Sequence, residues 1–320
     1  MTHRTLPPDV VDGLKARFAG RVIEEADLAP YTSARIGGPA ELLLEARSRD
    51  DLVRAFQFLW GADIAAIVLG GGSNVLISDH GVRGVVVLNK ARAVRFEDAG
   101  PNPVAWAESG AVLGSVARRT VSRGWSGLEW AATVPGTVGG AVYGNAGAHG
   151  SDTASCLDVA EILQRDFGEA TWSAADLEYG YRTSRLKRNP GHALILAAAF
   201  NLEHSSVEAA QKKMQEFVAH RRATQPGGAS WGSMFKNPAG DYAGRLIEAA
   251  GLKGLRRGDA EVSNQHANFF INRGRATAAD VRELLREVRE RVQDHSGVAL
   301  ELEIQLLGDW EADRIQPGQP

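Results

Sequence analysis

The sequence is short of cysteine, with Cys156 the only one among 320 residues. A single thiol excludes an internal disulfide and any site built from several cysteines, and such a chain fits a reducing compartment. No run of apolar residues approaches the roughly 18 of a membrane-spanning helix, and prolines and charges break the N-terminal stretch where a signal peptide would be apolar. We therefore expect a cytoplasmic protein with no membrane partner, and we predict no metal site.

The sequence also lacks a basic excess. Its formal net charge is −3, from 36 Lys and Arg against 39 Asp and Glu. Proteins that bind nucleic acid through its phosphates usually carry a surplus of positive charge, so we predict no nucleic acid partner. Apolar residues make up 44% of the chain, which is enough to build one large domain or two to three smaller ones.

A glycine loop, GGGSN at 70–74, follows an apolar run at 65–69 but matches neither common phosphate motif. No lysine follows as in a P-loop, and Val75 stands where a dinucleotide fingerprint has its third glycine. Its backbone N–H groups, with Ser73 and Asn74, can form a nest that holds a pyrophosphate. An ordinary glycine turn is the alternative.

A second glycine-rich segment, LEWAATVPGTVGGAVYGNAGAHG at 128–150, lacks bulky side chains over most of its length. Glycine accepts positive φ and has no Cβ, so such backbone can lie against a flat or extended ligand. The alternative is a pair of turns flanking a short buried strand at Gly140 to Gly144.

The rest of the sequence alternates strand and helix patterns, which indicates βαβ-like units. Strands are predicted at 41–46, 65–69, 84–88, 104–107, 159–163, 194–200, 267–272 and 300–306. Helices are predicted from Ser48 to Trp60, over 112–123, from Ser205 to Arg222, over 243–254 and after the cap formed by Thr277 and Asp280. The composition changes near 201–204, and a Gly, Pro and Ser-rich loop covers 224–232, so a second domain is expected there.

From about Tyr31 to Gly308 the chain closely resembles the bacterial UDP-N-acetylenolpyruvoylglucosamine reductases, which are flavoenzymes of peptidoglycan precursor synthesis. Eight collinear motifs carry the resemblance. They are ARIGGPA at 34–40, LGGGSNVLISD at 69–79, PGTVGGAVYGNAGAHG at 135–150, YRTSR at 181–185, GSMFKNP at 232–238, AGRLIEAAGLKG at 243–254, VSNQHANFFIN at 262–272 and LELEIQLLG at 300–308.

The resemblance implies an α+β fold in which an FAD-binding domain of the vanillyl-alcohol oxidase (PCMH) type, made of two subdomains, precedes a smaller α+β substrate-binding domain. The expected boundaries are a lead-in at 1–30, an FAD-binding domain at 31–203 with subdomains of about 31–90 and 91–203, a substrate-binding domain at 204–310 and a tail at 311–320.

The resemblance also assigns the cofactor residues. Gly70, Gly71, Gly72, Ser73 and Asn74 would cradle the FAD pyrophosphate, and Pro135, Gly136, Thr137, Gly139 and Gly140 would line the flavin and its ribityl chain. We expect the FAD to be non-covalent because no cysteine lies in these segments. His149 is close enough in sequence to keep a covalent link open.

By the same resemblance Arg182, Ser233 and Glu303 form the catalytic trio, with Ser233 as the proton donor. Adding hydride to an enolpyruvyl double bond builds negative charge on the α-carbon and its carboxylate, which a cation stabilises while a hydroxyl supplies a proton. Each residue has a structural alternative. Arg182 lies in a basic run typical of a solvated face, Ser233 can be a turn serine, and Glu303 can be the outward register of a strand.

Three further residues, Arg222, Asn237 and His266, are predicted to hold the nucleotide substrate. The arginine pair opens the new domain, and a guanidinium can bind phosphate with two hydrogen bonds. Of the pair, Arg221 is expected to be the solvated member. His266 has the alternative of a satisfied structural histidine.

This sequence departs from the family pattern at three places. Gln305 stands where the closing strand often has an arginine, and His149 stands where a tyrosine often follows NAGA, which puts nucleotide stacking there in doubt. The interval between Arg182 and Ser233 is too short for the tyrosine-bearing insertion of some members. The chain therefore resembles the shorter, second type.

The expected function is the NADPH-dependent reduction of UDP-N-acetylglucosamine enolpyruvate to the muramate through FAD, by a monomeric enzyme. Two alternatives stay open. One is a flavin oxidase of the same fold, which would have no reason to carry the C-terminal trio with FKNP. The other is a non-catalytic nucleotide-binding module, which would bind without turnover.

Overall fold

The computed structural model describes residues 6–310. In this range the chain forms three lobes, which we call the first lobe (6–90), the second lobe (91–224) and the third lobe (225–304). A final segment, 305–310, returns to the first lobe. The predicted tail at 311–320 lies outside the described residues. Within 6–310, no helix is both long and apolar enough to cross a membrane.

The first lobe contains a four-stranded sheet. Its spatial order is Val22–Asp27, Pro39–Ala46, Val82–Asn89 and Ala66–Leu69. The first pair is antiparallel and the others are parallel. Helices Pro8–Arg17 and Arg49–Gly61 supply apolar side chains to the core on one face of this sheet. Because Val22–Asp27 belongs to the sheet, the structure places this part of the predicted lead-in inside the first lobe.

The second lobe is built on an antiparallel sheet of five strands. Its order is Gly168–Trp172, Leu157–Gln164, Ala193–Asn201, Val104–Glu108 and Val94–Glu97. Its helices are Leu113–Val121, Val138–Gly144, Arg185–Arg188 and Val207–Thr224, with a 3-10 turn at Glu129–Thr133. Helix Val207–Thr224 packs on this turn and on Leu113–Val121, and the predicted start of the substrate-binding domain at 204 lies just before it.

The third lobe has a small antiparallel sheet and two helices. The strand order is Ser230–Ser233, Phe269–Asn272, Ala260–Val262 and Arg256–Arg257, and the helices are Ala243–Ala249 and Ala278–Ser296. Helix Ala278–Ser296 begins with a capping box between Thr277 and Asp280, as its sequence predicts. Its predicted apolar stripe is fully buried. The stripe consists of Val281, Leu284, Leu285, Val288 and Val292.

Short elements complete the fold, and some of them join the lobes. Strand Gln305–Leu307 pairs in parallel with Val75–Ile77, the strand that follows the glycine loop. Two-residue pairs link Trp125–Ser126 to Glu203–His204, and Gly147–Ala148 to Ser151–Asp152, while Ala29–Tyr31 is a 3-10 turn. The carboxylate of Asp79 in the first lobe accepts hydrogen bonds from the N–H groups of Ala278 and Ala279, at 2.8 and 2.9 Å. The third lobe is thereby fixed on the first.

Two sequence predictions differ from the structure. The stretch suggested as a strand at Gly140 to Gly144 lies in helix Val138–Gly144, because Thr137 caps its N-terminus and the small residues let it pack closely on the second sheet. The alternating strand predicted at 300–306 is reduced to Gln305–Leu307, and Leu306 is 39% exposed instead of buried. The residues before it are held by single bridges, such as Phe235 to Leu302.

Candidate flavin and substrate site

The two glycine-rich segments meet backbone to backbone. A Cβ on Gly71 would lie 3.0 Å from Cα of Gly136, and one on Gly72, which has φ of 59°, would lie 2.2 Å from the carbonyl oxygen of Tyr31. The Ser73 hydroxyl donates to the Pro135 carbonyl at 3.4 Å. Glycine at 71 lets the two segments approach this closely, and glycine at 72 avoids a clash with the backbone of Tyr31.

Between these segments and the third lobe lies a cavity of about 490 Å³. All ten residues predicted to bind the cofactor line it. They are Gly70, Gly71, Gly72, Ser73, Asn74, Pro135, Gly136, Thr137, Gly139 and Gly140. Within residues 6–310, the backbone N–H groups from Gly71 to Asn74 donate no hydrogen bond. A row of unpartnered N–H groups facing a cavity fits the pyrophosphate of FAD.

Arg182 reaches the cavity from a tight turn. Gly180 and Thr183 exchange backbone hydrogen bonds of 3.1 and 3.2 Å, which places Tyr181 and Arg182 at the tip. Arg182 has φ of 58°, a conformation that favours glycine. Tolerated backbone strain of this kind is frequent where a side chain has a chemical role. The Arg182 side chain is only 24% exposed, so the alternative of a solvated basic face does not apply to this residue.

Glu303 lies opposite Arg182, with Oε1 at 2.8 Å from Nε. The Nε–H is buried and is not aligned with the carboxylate, so the contact is an ion pair without a well-formed hydrogen bond. Burial raises the pKa of Glu303, and the positive charges of Arg182, Lys187 and Lys236 oppose that rise. Glu303 therefore faces inward to the cavity, contrary to the solvent-facing register that an isolated strand would suggest.

Ser233 lies beside Glu303 because their segments run next to each other. The Glu303 N–H donates to the Met234 carbonyl at 2.8 Å, and Asn74 Nδ2 donates to the Glu303 carbonyl at 3.2 Å. Ser233 is half-buried and lines the cavity, and its hydroxyl has no hydrogen-bond partner within residues 6–310. The three residues predicted to be catalytic thus line one cavity with the cofactor segments.

The three predicted substrate residues do not line this cavity. Arg222 is exposed, whereas Arg221 is half-buried and lines the cavity wall. This corrects the expectation that Arg221 is the solvated member, because successive helix residues point about 100° apart and the register of Val207–Thr224 turns Arg221 inward. Asn237 is exposed and its Oδ1 accepts from Ala243 N–H at 3.1 Å. His266 accepts from Asn268 N–H at 3.3 Å and packs on Phe269.

Lys187 and Gln225 are among the polar residues of the cavity wall that sequence reasoning missed. The Gln225 Oε1 atom is buried with no hydrogen-bond partner in the described part of the chain. Lys187 belongs to a run of basic residues, so its type alone did not distinguish it from solvated neighbours. The one signal in the sequence was its short separation from Arg182. Gln305 also lines the cavity, in the place where an arginine is often found.

His149 lies at the edge of the site without lining it. Its ring stacks on Phe217 with 4.3 Å between centroids and an interplanar angle of 11°. Burial lowers the pKa of His149, and His220 and Arg221 add to this effect. Cys156 is buried outside the cavity wall, and burial raises the pKa of its thiol to about 12.

Comparison with known proteins identifies both parts of the chain. An FAD binding domain family matches residues 40–169, and the C-terminal domain of UDP-N-acetylenolpyruvoylglucosamine reductase matches residues 221–307. A reductase of this name from Rubrobacter xylanophilus is 43% identical over 300 residues, which cover 93% of this chain and 99% of the relative. The chain belongs to the UDP-N-acetylenolpyruvoylglucosamine reductase family.

Other members of this reductase family agree with the assignment. The relative from Chloroflexus aurantiacus is 41% identical over 283 residues, covering 88% of this chain and 95% of the relative. The crystal structure of the reductase from Thermus caldophilus aligns with a TM-score of 0.76 at 34% identity, covering 89% of this chain and 98% of that one. The predicted α+β fold, with an FAD-binding domain before a C-terminal domain of this reductase family, is confirmed, and the chain is an FAD-containing oxidoreductase of peptidoglycan synthesis.

Proposed function

We propose that this reductase uses NADPH to reduce the enolpyruvyl double bond of UDP-N-acetylglucosamine enolpyruvate, yielding UDP-N-acetylmuramate. The observation that carries the proposal is the position of Arg182, Ser233 and Glu303 on the wall of the cavity that both glycine segments line. When bound, FAD accepts hydride from the nicotinamide nucleotide and supplies it to the substrate. Every other step falls to side chains of this chain.

Arg182 is the group that stabilises the developing negative charge. Its guanidinium faces the cavity, and its ion pair with Glu303 fixes the orientation of its side chain. A fixed charge in a partly buried site stabilises an enolate more than the same charge would in bulk solvent. We assign to Arg182 the substrate carboxylate, whose oxygens take up the negative charge that develops on the α-carbon.

Ser233 is the proton donor in this proposal, and Glu303 fixes the neighbouring Arg182 through their ion pair. The Ser233 hydroxyl has no competing acceptor within residues 6–310, so it is available to the substrate. A serine hydroxyl is a poor acid in water, so donation requires nearby cations to stabilise the alkoxide. Lys187 and Lys236 supply positive charge near Glu303, on the segment next to Ser233.

Arg221 is the residue that we assign to a phosphate of the nucleotide substrate. It lines the cavity, and among the described residues no carboxylate pairs with it. A half-buried guanidinium without an acidic partner is suited to a bidentate contact with a phosphate. We also propose that the enzyme works as a monomer in the cytoplasm.

The test is anaerobic reduction of the purified holoenzyme by NADPH, followed by a choice of oxidant. Stoichiometric reoxidation by UDP-N-acetylglucosamine enolpyruvate, with formation of the muramate, is the expected result. Fast reoxidation by air without response to that substrate would instead support a flavin oxidase. Binding of nucleotides with no flavin reduction would support a non-catalytic module. NADH in a parallel reaction measures the preference between the two nucleotides.

A further inference from the structure

Lys187 is held on the cavity wall by a short chain of hydrogen bonds. It lies in helix Arg185–Arg188, where the Ser184 hydroxyl accepts from the Lys187 N–H at 3.2 Å. The same hydroxyl donates to the carbonyl of Tyr143 at 2.6 Å, which ties the helix to the second glycine segment. The Lys187 side chain is therefore placed by the segment that also lines the cofactor cavity.

The ammonium group of Lys187 contacts the turn that carries Arg182. Its Nζ donates to the Arg182 carbonyl oxygen at 3.0 Å. Arg182 has positive φ at the tip of this turn, a conformation unfavourable for a residue with a Cβ. A charge-assisted hydrogen bond to its carbonyl stabilises that conformation and so fixes the direction in which the Arg182 side chain leaves the backbone.

Lys187 also acts on Glu303 through its charge. Within residues 6–310, the charged groups that act on Glu303 are Arg182, Lys187 and Lys236, and all three favour its ionised form. Lys236 is partly neutralised, because its Nζ lies 3.0 Å from Glu301 Oε2. Arg182 pairs directly with Glu303. Lys187 has no carboxylate within ion-pair distance among the described residues, and burial lowers the pKa of its ammonium group.

We propose that Lys187 is a positioning residue of substrate reduction, which fixes the Arg182 turn through its carbonyl and adds a positive charge that acts on Glu303. The inference rests on the function proposed above and adds a fourth residue to the predicted trio. Lys187 acts through Arg182 and Glu303, so we expect its loss to affect the step that these two residues serve. Reduction of the flavin by NADPH does not require either effect.

The experiment compares Lys187→Met with Lys187→Arg and with Arg188→Met. Arg188 is on the same short helix, but its side chain pairs with Glu178 at 2.8 Å. Arg188→Met therefore also removes one positive charge, but at a position that does not act on Glu303. The rate of flavin reoxidation by the enolpyruvyl substrate is measured from pH 5 to 9 for the holoenzymes, together with flavin reduction by NADPH.

Lys187→Met should slow reoxidation by roughly tenfold or more and move its acid limb to higher pH. The sign follows because losing a positive charge raises the pKa of Glu303, so the carboxylate is protonated at a higher pH. We expect this pKa to change by roughly one unit, which is the smallest effect usual for an opposite charge next to a carboxylate. Lys187→Arg should restore the acid limb, and Arg188→Met should leave both the rate and the profile unchanged.

A second measurement does not depend on turnover. Infrared titration of the oxidised holoenzyme should show a carboxyl band of Glu303, which is identified because it is absent in Glu303→Gln. The pKa measured from this band should be higher in Lys187→Met than in the wild type. An unchanged carboxyl pKa with an unchanged pH profile, or an equal shift in Arg188→Met, would overturn the proposal for Lys187. If wild-type enzyme is not reoxidised by the enolpyruvyl substrate, the proposed function fails instead, and the infrared titration still decides the electrostatic role.

Discussion

Oε1 of Glu303 lies 2.8 Å from Nε of Arg182. The carboxylate of Glu303, which lies at the end of the third lobe in sequence, thus forms an ion pair with an arginine of the second lobe. Both side chains line the same cavity as the glycine segments. A partly buried pair of opposite charges holds its geometry before substrate arrives, which reduces the reorganisation needed during the reaction.

Glu303→Gln keeps the shape of this side chain and removes its charge. We expect flavin reoxidation by the enolpyruvyl substrate to slow by about 10²–10³, the typical effect of losing one preorganised electrostatic contact. Flavin reduction by NADPH should stay near the wild-type rate. Stopped-flow absorbance measures both steps, and Glu301→Gln on the same segment is the control because its carboxylate is exposed. Equal rates in Glu303→Gln and wild type would remove Glu303 from the catalytic group.

Ser233→Ala separates the two half-reactions in the same way. Loss of a positioned general acid should slow substrate-driven reoxidation by about 10²–10⁴, while NADPH-driven bleaching of the flavin is preserved. Ser233→Cys should recover part of the lost rate, because a thiol can also give a proton. If Ser233→Ala reduces substrate normally, or loses flavin bleaching as well, Ser233 is a structural turn serine.

Arg221 and Arg222 form a matched pair of neighbouring arginines. Arg221→Ala should raise the KM for the nucleotide substrate by about ten- to a hundredfold, since a hydrogen bond to a charged group contributes about 1.5–3 kcal/mol. Arg222→Ala removes the same charge from an exposed position and should change the KM less than twofold, by the usual small effect of surface substitutions. Steady-state kinetics at saturating NADPH tests this pair. A larger effect of Arg222→Ala would restore the assignment made from sequence.

Gly72→Ala tests whether the glycine loop serves the cofactor. The new methyl group would lie 2.2 Å from the Tyr31 carbonyl oxygen at positive φ, so the loop must shift. We expect the purified protein to contain much less flavin, as measured by the ratio of absorbance at the flavin and protein bands. Gly81→Ala is the control, because its methyl group would lie 1.8 Å from the Pro39 carbonyl oxygen, also at positive φ. If Gly72→Ala and Gly81→Ala lose the same amount of flavin and the same thermal stability, the loss of flavin reflects impaired folding alone.

Acid precipitation tests the non-covalent state of the FAD. All flavin should appear in the supernatant, because neither Cys156 nor His149 lines the cavity. The thiol is buried, and the imidazole is stacked on Phe217. Flavin that stays with the pellet would contradict this prediction, and peptide mapping of the pellet would locate the linked residue.

Local sequence signals predicted individual elements well. The cap residues Ser48 and Thr277 begin helices where their spacing indicates, because a hydroxyl that accepts from the third following N–H is a local contact. The apolar stripe of Ala278–Ser296 is likewise set by the helix period alone. Such features depend on neighbours within one or two turns of the chain.

The misplaced features depend on distant contacts. The sequence of helix Val207–Thr224 does not indicate its neighbours, and only the structure shows that it packs on Glu129–Thr133 and Leu113–Val121. Arg221 and Arg222 are indistinguishable by composition, and a rotation of about 100° decides which one faces the cavity. The Lys187 contact with a carbonyl oxygen has no signature in residue type, because its acceptor is backbone. These positions required the tertiary structure.

The parallel pairing of Gln305–Leu307 with Val75–Ile77 affects how the protein acquires its activity. Asn74 and Glu303 are hydrogen-bonded across 229 positions of sequence, and contacts of such long range form slowly because the intervening chain must first be ordered. Among the described residues, the strand that follows the glycine loop pairs only with Gln305–Leu307, so the loop lacks this support until that segment has been synthesised. The glycine loop and Glu303 therefore reach their final positions together, late in folding.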